Sequence, residues 1–167
     1  AIAVGRKRRS RLELARKFGA DLTINLDEVV DLNERVNLVK EISTTGYGAD
    51  VVFECAGVPA AFAEGIKYLR DSAVLCEVGH FTDSGSVAIN PCRDILEKNI
   101  TIEGIYDNEA EQFMRAVPII EQAAFPLEDM ISHRLPLRRL PEAIDAANDG
   151  KIVDGKEVVK AVMEPAK

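Results

Sequence analysis

The first 26 residues set the strongest constraint on the fold. Ala1-Ile2-Ala3-Val4-Gly5 reads as a buried strand, Ser10 to Phe18 as an amphipathic helix, and Leu22-Thr23-Ile24-Asn25-Leu26 as a second strand. Leu12, Ala15 and Phe18, with Leu14 on the flank, give the helix an inward stripe. Ser10 with Glu13 three residues on forms a capping box, and Gly19 is the helix stop. Strands separated by a helix pair in parallel through a crossover, and a parallel sheet needs helices on its faces. The opening therefore commits the chain to an α/β fold.

The alternation continues. A helix from about Glu28 to Ser43 carries Leu32, Val36, Val39 and Ile42 at helical spacing, and the turn Thr45-Gly46-Tyr47-Gly48 ends it. Asp50 to Gly57 reads as a central strand running into a tight turn, and Pro59 opens the next helix at a position where its missing N–H costs nothing. Further strands are expected at Ala73–Gly79, Ser86–Asn90, Asn99–Ile105 and Glu157–Met163. Helices are expected from Pro91, over Glu109–Ala124 with a kink at Pro118, and over Pro141–Asn148 with a stop at Gly150. The order implies right-handed crossovers and a doubly wound parallel sheet in one domain, without repeats or linkers.

Composition narrows the function classes. Of 167 residues, 47% are hydrophobic and 29% charged, a globular balance, and no apolar run approaches the roughly eighteen residues of a membrane span. Cys55, Cys76 and Cys92 are odd in number and lack CxxC spacing, which fits a reducing, cytoplasmic setting better than a disulfide frame or zinc knuckle. The net charge is −7, yet Arg6, Lys7, Arg8, Arg9 and Arg11 concentrate five cations in six positions, leaving 16 basic against 28 acidic residues elsewhere. A nucleic-acid binder needs a broad basic face, so a local anion site fits better.

Five stretches, RLELARKFGAD, GADVVFECAGVPAAF, LCEVGHF, VAINPCRDILEKNITIEGIY and ISHRLPLRRLPEAIDAANDGK, together resemble the cofactor-binding domain of the medium-chain dehydrogenase/reductase family, in its zinc-containing alcohol dehydrogenase branch. They stand in the family's order across nearly the whole chain. The resemblance implies a Rossmann-like sheet, incomplete at its N-terminal βα unit, because the first strand and its pyrophosphate-binding glycine-rich turn are not in this sequence. It makes residues 1–167 a partial dinucleotide-binding domain of a longer dehydrogenase.

The resemblance also assigns residues. Where NAD-dependent members carry an acid at the end of the second family strand, this chain has Gly5 followed by Arg6 and Lys7, which suits the 2′-phosphate of NADP; the alternative is a solvated basic turn. Cys55 and Ala56 match positions bordering adenine and ribose, Val78, Gly79 and His80 the turn beside the nicotinamide ribose, and Gly104, Ile105 and Tyr106 the region near the carboxamide. Lys160 matches a basic position reaching the pyrophosphate. His80 reads equally as a polar loop residue, and His133 resembles a structural position. Glu54, the one charge on an apolar strand, is expected to meet a partner outside these residues or to reach solvent. No catalytic set and no metal ligand is assigned; zinc is expected only in a part N-terminal to this chain.

The implied activity is interconversion of a small-molecule alcohol and a carbonyl by hydride transfer to NADP or NAD. A zinc-free, quinone-reductase-like or non-catalytic structural relative is the alternative. No nucleic-acid or membrane partner is expected. Ser86–Asn90 matches the place where relatives pair strands across a two-fold axis, implying a homodimer or dimer-based tetramer. Without a strand between the first and third sheet segments, inner edges would lack partners, and these residues are expected not to fold stably alone.

Overall fold

Parallel pairing governs the strands, as the alternation predicts. The computed structural model describes residues 1–6, 9–149 and 152–165. It divides into two compact units, residues 29–109 and residues 1–28 with 110–167.

In the unit 29–109, helix α2 (Leu32–Ile42) begins later than the periodicity suggests, because Asp31 is its N-cap and accepts from the Glu34 N–H at 2.9 Å. Strand β3 (Ala49–Glu54) leads to helix α3 (Pro59–Tyr68), with proline in its first turn as expected. Strand β4 (Leu69–Glu77) follows α3 directly, four residues earlier than predicted, and a register irregularity between Ala49 and Val51 accommodates the extension. Strand β5 (Thr101–Gly104) completes a parallel sheet in the order β3-β4-β5. Ile66, Leu69, Ala73, Leu75 and Ile100 form the core, with Val52, Phe62, Ile89 and Ile95 packed against it. Arg35 is buried between α2 and α3. Its Nε and Nη2 each donate to Glu64 at 2.7 Å, and its Nη1 donates to the Val29 and Val30 carbonyls. Tyr68 donates to the same carboxylate, so the buried ion pair is fully hydrogen-bonded.

One expectation fails in this unit, and the helix expected from Pro91 forms in a π-helical rather than an α-helical winding. Ser86–Asn90 belongs to no ladder among the described strands. Ile89 packs on the core while Val87 stays exposed. The segment from Pro91 is a π-helical turn, Pro91–Leu96, capped by Asn90.

In the other unit, β1 (Ile2–Gly5) pairs in parallel with β2 (Leu22–Asn25) through helix α1 (Arg9–Lys17). The capping box does not form. Ser10 lies inside α1, and both its N–H and its hydroxyl donate to Glu157. Gly19 follows the helix at φ +96°, as its role as a stop requires. Helix α4 (Ala110–Glu121) runs through Pro118, and β6 (Ile131–Pro136) precedes α5 (Leu140–Asp149). The predicted stop at Gly150 lies outside the described residues. The expected single terminal strand is two: β8 (Lys156–Glu157) turns back on β7 (Ile152–Val153), and β9 (Lys160–Glu164) pairs with β6. Asp154 and Gly155, both at positive φ, make the hairpin turn, and Val158 between the two strands is drawn into the core with Leu135, Ala143, Ala146 and Val153. β1 pairs only with β2 and β3 only with β4, so the described strands do not form one continuous sheet.

Candidate functional site

In a parallel sheet every strand ends on the same side, so the turns after β3, β4 and β5 gather at one edge, where open α/β sheets bind ligands. Register aligns Glu54 with Glu77, and Glu77 with Gly104. Glu54 is 4% exposed. Its Oε1 accepts from the N–H groups of Ala56 at 2.9 Å and Gly57 at 3.0 Å, and its backbone oxygen accepts from Val78 N–H at 3.0 Å. One residue thereby holds the turn after β3 and the start of the turn after β4.

Those two turns touch through their backbones. A Cβ on Gly79 would lie 2.3 Å from Glu54 Oε2 and 2.4 Å from the Gly57 nitrogen. A Cβ on Gly57, which sits at φ +65°, would lie 2.5 Å from the Gly79 oxygen. Only glycine fits at either place.

His80 completes the cluster. Its Nδ1 lies 2.7 Å from Glu77 Oε1 and 3.5 Å from Glu54 Oε2, and its backbone N–H donates to Glu77 Oε1 at 3.2 Å. The hydrogen bond to Glu77, then the Glu77 and Glu54 charges, hold the imidazole above its ordinary pKa against partial desolvation. Glu77 Oε2 is buried without a partner. Cys55 beside this cluster has its thiol pushed up by desolvation first and by the two carboxylates next, the opposite of what a nucleophilic thiolate needs. Ile105 N–H donates to the Glu77 oxygen at 2.9 Å, and the Phe81 and Tyr106 rings meet with centroids 5.1 Å apart, which ties in the turn after β5. Ser84 closes the far side by donating to the Gly57 oxygen. An open cleft of about 290 Å³ lies beside His80, walled by Pro59, Phe62, Ser84 and Val87 among others.

Cys55, Ala56, Val78, Gly79, His80, Ile105 and Tyr106 thus come together in one unit. Gly5, Arg6 and Lys160 belong to the other, and Lys7 lies outside the described residues. Gly5 ends β1, where a Cβ would press on Leu12 Cδ2 at 3.1 Å. Arg6 Nε donates to Asp27 at 2.9 Å and Arg9 to Glu28 at 2.8 Å, so these cations already carry carboxylate partners from the segment after β2. Lys160 is exposed at the start of β9. His133 is buried between Ser132 and the Val153 carbonyl, in a structural position as its sequence context implies.

The profile described as zinc-binding dehydrogenase matches residues 1–122. The chain belongs to the zinc-binding dehydrogenase family. It is 31% identical over 156 residues to erythritol/L-threitol dehydrogenase of Mycolicibacterium smegmatis, a match covering 93% of this chain and 40% of that protein. With L-threonine 3-dehydrogenase of Symbiobacterium thermophilum it shares 30% identity over 148 residues, 86% of this chain and 40% of that one. The alcohol dehydrogenase structure from Thermotoga maritima superposes with a TM-score of 0.86 at 28% identity, covering 99% of this chain and 43% of the other. A zinc-binding dehydrogenase from Sinorhizobium meliloti bound to NADP gives 0.74 at 24% identity, over 93% and 43%. The chain spans about two fifths of the length of these relatives. The fold is Rossmann-like, parallel strands alternating with helices, as in the cofactor-binding domain of this family.

Sequence reasoning missed the two carboxylates that organise the site. Glu54 does not reach solvent: it folds back on the N–H groups of its own turn. The signal was present in the order E-C-A-G, which places two backbone donors and a glycine directly after the acid. Glu77, aligned with Glu54 in the sheet, gave no sign of its own.

Proposed function

We propose that this chain is the nicotinamide-cofactor-binding part of an oxidoreductase that interconverts a small-molecule alcohol and a carbonyl by hydride transfer. The observation that carries the reading is the glycine-only contact between the Gly57 and Gly79 turns at the carboxyl edge of a parallel sheet. Backbone packed that closely fixes the turns after β3 and β4 against each other at the edge where such sheets bind ligands. Relatives that act on erythritol, L-threitol and L-threonine support the substrate class. In this reading Cys55, Ala56, Val78, Gly79, His80, Ile105 and Tyr106 line the cofactor, and Lys160 approaches the pyrophosphate.

The preferred cofactor is NADP, with Gly5, Arg6 and Lys7 receiving the 2′-phosphate. Exposed ion pairs such as Arg6–Asp27 contribute only about 0.2–1 kcal/mol, whereas charge-assisted bonds to a phosphate contribute about 1.5–3, so the phosphate displaces the carboxylate. Zinc supplies Lewis-acid polarisation of a substrate oxygen when bound. Its ligands belong in this reading outside these residues: in the described donor group of Glu54, Glu77 and His80, Glu54 Oε1 already accepts from two backbone N–H groups and His80 Nδ1 is paired with Glu77 Oε1. The three unpaired cysteines support a cytoplasmic enzyme. Ser86–Asn90, mostly exposed and without a ladder partner among the described strands, supports a homodimer or dimer-based tetramer through that segment, which light scattering of the intact protein checks.

The test is cofactor binding by fluorescence titration of the intact enzyme. NADPH is expected to bind more tightly than NADH. Neutralising Arg6 and Lys7 together weakens NADPH by about 1.5–3 kcal/mol for each charge-assisted bond lost and spares NADH. Equal losses for both cofactors, or none, return the run to a solvated turn.

A further inference from the structure

The turns that would contact the cofactor are joined by more than backbone packing. One oxygen each from Glu54 and Glu77 and a ring nitrogen of His80 lie within 4.8 Å of one another. Two carboxylates at that separation repel, and a cation placed between them removes the repulsion. His80 Nδ1 stands in that place, 2.7 Å from one acid and 3.5 Å from the other. Neutral His80 offers one N–H to two negative groups; protonated, it offers the same N–H together with a charge. Glu54 is bonded to Ala56 and Gly57, and Glu77 through its backbone to Ile105, so the charge between them acts on all three turns.

We propose that Glu54, His80 and Glu77 form a proton-linked latch between the cofactor turns, with Glu54 as the positioning residue that sets their spacing and cofactor affinity following the charge on His80. The proposal rests on the cofactor reading above. The charged groups facing the imidazole are Glu54 from β3 and Glu77 from β4; Asp83 of its own loop lines the cleft with it, and α3 presents only the uncharged Pro59 and Phe62 there. The environment already favours the imidazolium, which fixes the sign. The latch is closed at low pH and opens as pH rises through the raised His80 value.

The experiment is NADH binding by the intact enzyme between pH 6 and pH 9, with NADH chosen because it lacks a titrating 2′-phosphate. Wild-type affinity falls about tenfold across this range, the ordinary scale of coupling between two sites. His80→Gln gives a flat profile. Glu77→Gln moves the midpoint to lower pH. Glu54→Ala binds weakly at every pH, and Glu54→Gln, which keeps an oxygen for the Ala56 and Gly57 N–H groups, restores binding at pH 6 with a lowered midpoint. Should Glu54→Ala fail to fold, the Gln variants carry the test. A His80→Gln profile identical to wild type, or a Glu54→Gln midpoint that does not move, overturns the latch. Wild-type protein that binds neither NADH nor NADPH at any pH overturns the cofactor reading itself, and the latch with it.

Discussion

The carboxylates nearest the proposed site and those beside the basic turn, one group in each compact unit, are held in opposite ways. In the unit 29–109 the carboxylates that matter are inside: Glu54 answers backbone N–H groups, and Glu64 answers a guanidinium whose side chain is only 8% exposed. In the other unit Arg6–Asp27, Arg9–Glu28 and Lys17–Asp129 all sit in water. Buried pairs are held by geometry and fail badly when one partner is removed. Exposed pairs are screened, interchangeable and easily given up to a competing anion. A site assembled from the first kind fixes where a ligand lies; one assembled from the second selects what charge it carries.

The most damaging way to probe this contrast is Arg35→Ala. It leaves Glu64 with only the Tyr68 hydroxyl and the Val29 and Val30 carbonyls without their donor, with an expected loss of about 3–5 kcal/mol in urea unfolding of the intact enzyme. A loss below about 1 kcal/mol would place this pair with the exposed ones. Next comes Gly79→Ala, whose Cβ must displace either the Glu54 carboxylate or the Gly57 backbone. Overpacking of that kind costs about 1–3 kcal/mol, and cofactor binding in the intact enzyme is expected to fall with it. An alanine variant that binds NADPH normally would remove the glycine contact from the site. A smaller effect is expected from Asp27→Asn, which takes away the carboxylate competing for Arg6 and strengthens NADPH binding by about 0.2–1 kcal/mol. Weaker binding would make Asp27 an organiser of the turn rather than a competitor.

The last effect concerns pH and stability. His80 is raised in the folded chain, so its contribution is complete below the ordinary imidazole value near 6.5 and is lost as pH rises through the raised one. Urea midpoints of wild type and His80→Gln are expected to diverge on the acid side and converge on the alkaline side. Divergence only at high pH would reverse the sign of the argument.

How much of this was legible in the residues differs by element. The parallel fold was legible because helical and strand periods alternate, and Pro59 marks its helix start. The strand Ser86–Asn90 was overread. Its apolar alternation is real, but alternation describes a face, and a strand also needs a partner within reach. The terminal strand was misread for the opposite reason, since Asp154-Gly155 is a hairpin signal that a scan for apolar runs passes over. Ser10 had every mark of a cap except a free hydroxyl, which Glu157 takes from far along the chain. Glu54 shows the general limit. A lone acid on an apolar strand says that something must satisfy it, and only the path of the following turn says what.

The contact between Gly57 and Gly79 also limits how this protein can vary. Changing either glycine adds atoms where none fit, and no replacement at the other compensates, because each is crowded by backbone that every residue possesses. The two turns therefore have no mutational neighbours to pass through. Freedom lies instead on the wall of the neighbouring cleft, at a position such as Val87, whose side chain holds neither turn. The glycine contact must be inherited whole.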